Sequence, residues 1–319
     1  MRKIIILLLV LSLSGCSDSI ESNINTPVEQ GSSTTYEQVC VLGEDISGPW
    51  TGSLFGKWLD SDGNQKTPEN FMFVEGAGVP SLINDGNGRL IAAFQWFTCD
   101  DPDAFDKIAV SFSEDDGKTW SEPESIKIDG MADNLSRPFD PTLAITPDGE
   151  IRMFFTVNLN SMMLGKDTDI YSAVSTDGVN YVFEDVPSFS LDDTAVYDSA
   201  EIYWNDLWYL IAPKNISEPY GAYFATSEDG VNFTEQETIY QPTDFNWLGN
   251  FYDGGDTLYF YGMDMGMEGS KGIGIIETTD GINWSDPKYV GLFGGDPAYA
   301  CTDSGDCLLI ATGGQTKDL

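Results

Sequence analysis

Three aspartates recur at one position of a repeating pattern. Asp140-Pro141-Thr142-Leu143, Asp198-Ser199-Ala200-Glu201 and Asp296-Pro297-Ala298-Tyr299 each open an apolar run. Val79-Pro80-Ser81-Leu82 stands at the same position of an earlier unit, and Asp253 in NFYDGGD is a looser relative. If these openings converge, their carboxylates repel one another and at least one holds its proton near neutral pH. A protonated and an ionised carboxyl side by side are what general acid–base work on a glycosidic bond requires. Asp140, Asp198, Glu201 and Asp296 are therefore the candidate catalytic residues. The same oxygens suit a hard cation, so Ca2+ is an alternative occupant, and no cofactor is required. An aspartate before proline can also simply cap its strand and bond the next unit. Arg137 and Phe139 lie just ahead of Asp140, and Trp247 lies ahead of a later run; with Asp253 they are the candidate ligand contacts.

Composition narrows the chemistry further. The 319 residues hold 52 Asp and Glu against 15 Lys and Arg, a formal charge of −37, and no histidine. The missing histidine excludes Ser-His-Asp and Cys-His mechanisms and every His-ligated metal. The acidic balance excludes nucleic acid as a partner and argues against docking of the folded body on an anionic membrane. With 33 Gly and 13% aromatic residues, the chain reads as folded rather than as an acidic disordered tail.

The elements that must position these residues show in a second repeat. Ser113-Glu-Asp115-Asp-Gly117-Lys-Thr119-Trp120 is followed by Ser175-Thr-Asp177-Gly178-Val-Asn-Tyr181, Ser227-Glu-Asp229-Gly230-Val-Asn-Phe233 and Thr278-Thr-Asp280-Gly281-Ile-Asn-Trp284. The four aspartates Asp115, Asp177, Asp229 and Asp280 recur roughly every fifty to sixty residues, the period of a repeated four-stranded sheet. Each follows an alternating stretch such as KIAVSFS or AYFATS. In such a turn the Asp accepts backbone N–H bonds, the Gly takes positive φ, and the closing aromatic folds under the hairpin.

These turns resemble the Asp-box, or BNR repeat, of sialidase-type β-propellers. The resemblance covers roughly residues 76–313 and implies an all-β, five-bladed β-propeller. Too few residues follow Pro297 for a full blade, so the missing strands must come from residues 36–75. There TYEQVCVL, SLFGKWL and NFMFVE are β-rich, and Asp60-Ser-Asp62-Gly63-Asn64 looks like a degenerate fifth turn. Sharing strands between the two ends closes the ring and hides its edges. Six blades result if residues 36–75 stand as their own unit. The sialidase resemblance would put an active-site Arg at the position of Gly78. The chain is also similar in shape to five-bladed glycosidases acting on arabinose, xylose or fructose polymers. That resemblance implies an Asp base in blade one, at Val79 here, an auxiliary Asp in blade two, at Asp140, and an acid in blade three, at Glu201 or Asp198. Either resemblance implies a glycan as the partner. A non-catalytic propeller that binds glycan, Ca2+ or protein is the other reading.

The N-terminus carries an address. Arg2 and Lys3 precede a short apolar run that ends in Leu13-Ser14-Gly15-Cys16. This looks like a bacterial lipobox, with residues 1–16 as leader and Cys16 as the lipidated first residue. Residues 17–35 are polar and Ser/Asn/Thr-rich, a tether. The expectation is a monomeric propeller over residues 36–319, held to a membrane by its lipid anchor alone. The resemblance and Ser17 imply the outer membrane, on its periplasmic or surface face. Cys301 and Cys307 would staple a hairpin, leaving Cys40 and Cys99; three connectivities and free thiols all remain open.

Overall fold

The structure is a computed structural model that describes residues 52–60, 63–67, 69–98, 100–158, 168–214, 221–240, 242, 245–264 and 271–313. All regular elements among them are strands: β1 (Ser53–Leu59), β2 (Phe71–Val74), β3 (Ala77–Asn84), β4 (Leu90–Trp96), β5 (Lys107–Ser113), β6 (Glu124–Ser125), β7 (Lys127–Asp129), β8 (Phe139–Ile145), β9 (Ile151–Asn158), β10 (Thr168–Ser175) and β11 (Asn180–Phe189). They continue with β12 (Ala200–Trp204), β13 (Leu207–Pro213), β14 (Ala222–Ser227), β15 (Thr234–Glu235), β16 (Asn246–Asp253), β17 (Leu258–Met263), β18 (Ile273–Thr278), β19 (Lys288–Tyr289), β20 (Gly295–Cys301) and β21 (Cys307–Gly313).

The strands form five sheets, in the orders β3-β4-β5-β6, β8-β9-β10-β11-β7, β12-β13-β14-β15, β16-β17-β18-β19 and β20-β21-β1-β2. These are blades one to five of a β-propeller. The last blade joins both ends of the polypeptide: β1 pairs along its whole length with β21, Ser53 opposite Gly313 through Leu59 opposite Cys307. Within the expected 36–75 segment, Ser53–Leu59 and Phe71–Val74 thus close the ring, and the described residues form five blades. The two closing strands are SLFGKWL and FMFV, whereas TYEQVCVL, like Cys16, Cys40 and Cys99, lies outside the described residues. After β6 the chain crosses to the next blade, where β7 pairs in parallel with β11.

Inner strands are apolar on both faces because each blade is packed between two others. β9 is buried at every position and β4 at all but its last. The outermost strands β6, β15 and β19 are two residues long, which leaves little free edge. Five buried clusters fill the five blade interfaces in turn: Val110 with Phe155, Phe154 with Trp208, Phe224 with Phe260, Tyr261 with Tyr299, and Ile310 with Phe94. Each large side chain so removed from water contributes about 1.5–3 kcal/mol. Cys301 and Cys307 face each other across the β20–β21 hairpin and are joined as a disulfide.

All four Asp turns share one hydrogen-bond pattern. Asp229 Oδ1 accepts from the N–H groups of Val231 and Asn232 at 2.8 Å each, and Oδ2 accepts from the Asn232 side chain at 2.9 Å. Asp177 and Asp280 repeat this with Asn180 and Asn283, and Asp115 repeats it with Thr119. Gly230 is required twice over. Its φ is +71°, and a Cβ there would lie 2.2 Å from Arg152 Nη1 and 2.5 Å from the Trp208 ring. The closing aromatics fold inward, Trp120 edge-on to Phe73 and Trp284 edge-on to Trp247.

Candidate functional site

The innermost strands β3, β8, β12, β16 and β20 touch one another around the axis. Each opens with the same device. A residue with positive φ stands at each opening, Val79 (+50°), Asp140 (+52°), Asp198 (+52°), Gly249 (+147°) and Asp296 (+48°), and in blades one, two, four and five the ladder register breaks there. The register slips between Gly78 and Ser81, Phe139 and Thr142, Asn246 and Asn250, and Gly295 and Ala298. Such bulges re-aim a side chain out of the sheet and tolerate the proline that follows in three of them. Positive φ suits Asp and Gly; for a β-branched valine it is strained by roughly 1–3 kcal/mol.

Because the five openings are equivalent positions of five blades, they share one mouth of the channel. The structure brings Asp140, Asp198 and Asp296 together there. All three are partly buried. Burial, with repulsion from Asp296 and opposed by the Arg137 charge, raises Asp140 to about 7. Burial raises Asp296 to about 6. Asp198 is pushed well above the usual carboxylate range, first by burial and then by the charges of Asp140, Asp296 and Glu201. Two hydroxyls brace the openings. Thr156 Oγ1 accepts the Asp198 N–H at 3.0 Å and reaches Asp140 Oδ2 at 3.4 Å, and Thr312 Oγ1 accepts the Val79 N–H at 3.0 Å.

Arg137 and Phe139 flank the same mouth, with the guanidinium 5.5 Å above the Phe139 ring. Arg137 is ion-paired to Asp106 at 2.6 Å, and Gln95 donates to the other oxygen of Asp106 at 2.7 Å. Asp106 was not visible in the repeat because it lies between blade elements; the only signal was that a half-buried arginine needs an anion. The other two arginines of the propeller are also engaged, Arg89 with Asp85 and Arg152 with Glu184. Both also donate to a turn of the next blade, Arg89 to the Asp177 carbonyl and Arg152 to the Asp229 carbonyl.

Three expected site residues lie elsewhere. Trp247 is 1% exposed and packs among Phe245, Phe260 and Trp284, so it is core and cannot contact a ligand. Asp253 stands at the hairpin end of β16, exposed, where it accepts the Gly255 N–H at 2.7 Å. The blade-four opening is Gly249, which brings no side chain to the mouth. Glu201 lies deeper, 2% exposed, on a cavity of about 320 Å3 lined also by Leu82, Leu143, Asn250, Phe251 and Ala300. Ser199 donates a short bond to its Oε1, its Oε2 has no partner, and burial raises it to about 8. Between cavity and mouth, Asn250 ties the ring together, accepting from Ser81 at 2.9 Å and donating to the Pro80 and Pro297 carbonyls. Among the described residues no group of three or more Asp, Glu or Cys side chains is arranged to hold a metal ion.

No family model matches the sequence, and no curated protein matches it. Solved structures do. A thermostable family-43 glycoside hydrolase superposes with TM-score 0.54 at 12% identity, over 76% of this chain and 95% of the other. A GH130-family structure, from a family containing glycoside hydrolases that target β-1,2 mannosidic linkages in Candida mannan, gives 0.50 at 14% identity over 73% and 83%. An exo-β-1,3-galactanase from Clostridium thermocellum gives 0.50 at 12% identity over 73% and 50%. At such identities the likeness establishes the fold: the chain shares the propeller of glycoside hydrolases.

Proposed function

We propose that this chain is an exported, lipid-anchored propeller that acts on glycans as a glycoside hydrolase. The anchoring rests on the Leu13-Ser14-Gly15-Cys16 sequence and its apolar leader. The catalytic reading rests on one observation: Asp140, Asp198 and Asp296 converge at one mouth, each raised above the usual carboxylate range. Interacting carboxyls raised in this way hold a proton beside an ionised neighbour, the donor and acceptor that glycoside hydrolysis needs. The fold neighbours give this reading its reaction class by analogy. A screen of the protein against chromogenic glycosides of neutral sugars tests it, and the expected result is turnover of at least one sugar class.

A second reading has its own observation. Val79 occupies the blade-one opening, so a blade-one carboxylate is missing there. On the missing blade-one carboxylate, with Arg137 Nε and Nη1 left unpartnered beside its Asp106 pair, the mouth binds glycan, or Ca2+, without cleaving it. A flat turnover screen together with hits on a glycan array, or a rise in melting temperature on adding calcium, would favour binding.

A further inference from the structure

We propose that Asp296 of blade five is the catalytic base opposite Asp198, in the part that a blade-one carboxylate would otherwise hold; this rests on the glycosidase reading above. The geometry is that of a ring with five equivalent openings. Val79, Asp140, Asp198, Gly249 and Asp296 share the positive-φ position at the start of the innermost strand of blades one to five. Counted from Asp198 in blade three, blades one and five are each two steps away, on opposite flanks. A side chain at Asp296 therefore stands about as far from Asp198 as one at Val79 does. Val79 offers no oxygen and Gly249 no side chain.

The other carboxylate is differently placed. Asp140 sits in the blade next to Asp198, receives the Thr156 hydroxyl, and lies beside the Arg137–Asp106 pair. It is suited to orient and tune. No side chain among the described residues donates to Asp296. Second neighbours of a five-membered ring are further apart than first neighbours, and wide separation leaves room for a water between acid and base. Beneath the cluster, buried Glu201 lines the cavity with its Oε2 unpartnered, within electrostatic reach of Asp198. Burial raises Asp296, whereas Asp140 and Asp198 are raised by burial and also by the charges of neighbouring carboxylates.

In the step so assigned, the oxygen of a water bonds to the anomeric carbon while one of its protons passes to Asp296. The bond from that carbon to the leaving oxygen breaks, its electron pair stays on that oxygen, and the oxygen takes the proton of Asp198. Solvent then removes the proton from Asp296 and returns one to Asp198. The product sugar has inverted configuration.

The test uses the full chain and whichever neutral-sugar glycoside it turns over, as both the 2,4-dinitrophenyl and the 4-nitrophenyl derivative. Asp296→Asn should lower kcat by about 10²–10⁴-fold on both. Sodium azide should restore turnover of the dinitrophenyl compound and give a glycosyl azide of inverted configuration. Asp198→Asn should spare the dinitrophenyl compound, whose leaving group needs no proton, and lose the other. V79D in the D296N background should regain part of the lost turnover from the opposite flank. NMR of the product released by the unaltered protein needs no variant, so a misfolded D296N does not leave the idea untested. Retention of configuration, or an active parent whose D296N turns over within about twofold and ignores azide, overturns the role of Asp296 and leaves the glycosidase reading standing. A parent inactive on every glycoside removes that reading, and this role with it.

Discussion

Aspartate does two opposite jobs in this propeller, one at the turns of blades one to four and one at the openings of blades two, three and five. At the turns, Asp177 and Asp280 are held below the usual carboxylate range by the side chain and N–H of Asn180 and Asn283. At the mouth, Asp140, Asp198 and Asp296 are held above it by burial, joined at Asp140 and Asp198 by the charge of neighbouring carboxylates. The turn carboxylates have their acceptors filled by their own loops and are poised only to be ionised. The mouth carboxylates have few donors and sit close to other negative charge, which costs stability and keeps protons available. The contrast separates aspartates that build the propeller from those that use it.

The largest effect expected from breaking this contrast is on turnover. Asp198→Asn should lower kcat on unactivated glycosides by about 10²–10⁴-fold with the fold intact by circular dichroism. Asp229→Ala, in a turn, should leave the kcat of the folded protein unchanged and lower its melting temperature by several degrees. Next in size is Gly230→Ala, where positive φ and the approach to Arg152 and Trp208 combine. It should cost about 2–3 kcal/mol, read by denaturant unfolding.

A smaller effect is the dependence of stability on pH. The mouth aspartates and Glu201 bind protons more tightly folded than unfolded, so the stability they allow is full below about pH 4 and declines as pH rises through about 6 to 8. The turn aspartates have the reverse sign: their stabilisation is full above about pH 4 and fades as pH falls below it. Scanning calorimetry should therefore find maximal stability on the acid side of neutrality. A melting temperature rising steadily from pH 5 to 9 would contradict buried, repelling carboxylates. Smallest is Glu201→Gln, which should raise the melting temperature at pH 9 by a few degrees and have little effect at pH 5.

The turns were legible in the sequence because their bonds are local. Asp229 finds its partners two and three residues on, so residue order and geometry are nearly the same information. Ring closure was legible too, since the last unit lacks strands that residues 36–75 can supply. Blade four was misread. Trp247 and Asp253 stand near an opening in sequence, but the residue that takes the positive φ there is Gly249, and a glycine announces no chemistry. Trp247 resembles a ligand platform by type alone, and its burial depends on Phe245, Phe260 and Trp284 packing around it.

By itself the sequence determined the blade period, the Asp turns and the joining of the two ends, because these follow from hydrogen bonds and apolar alternation within a few residues. Tertiary structure alone decided that Asp140, Asp198 and Asp296 meet, that Arg137 pairs with Asp106, and that Glu201 lies below the mouth. Those facts depend on five inner strands, far apart in the chain, being brought to one axis, where burial and like charge act across blades.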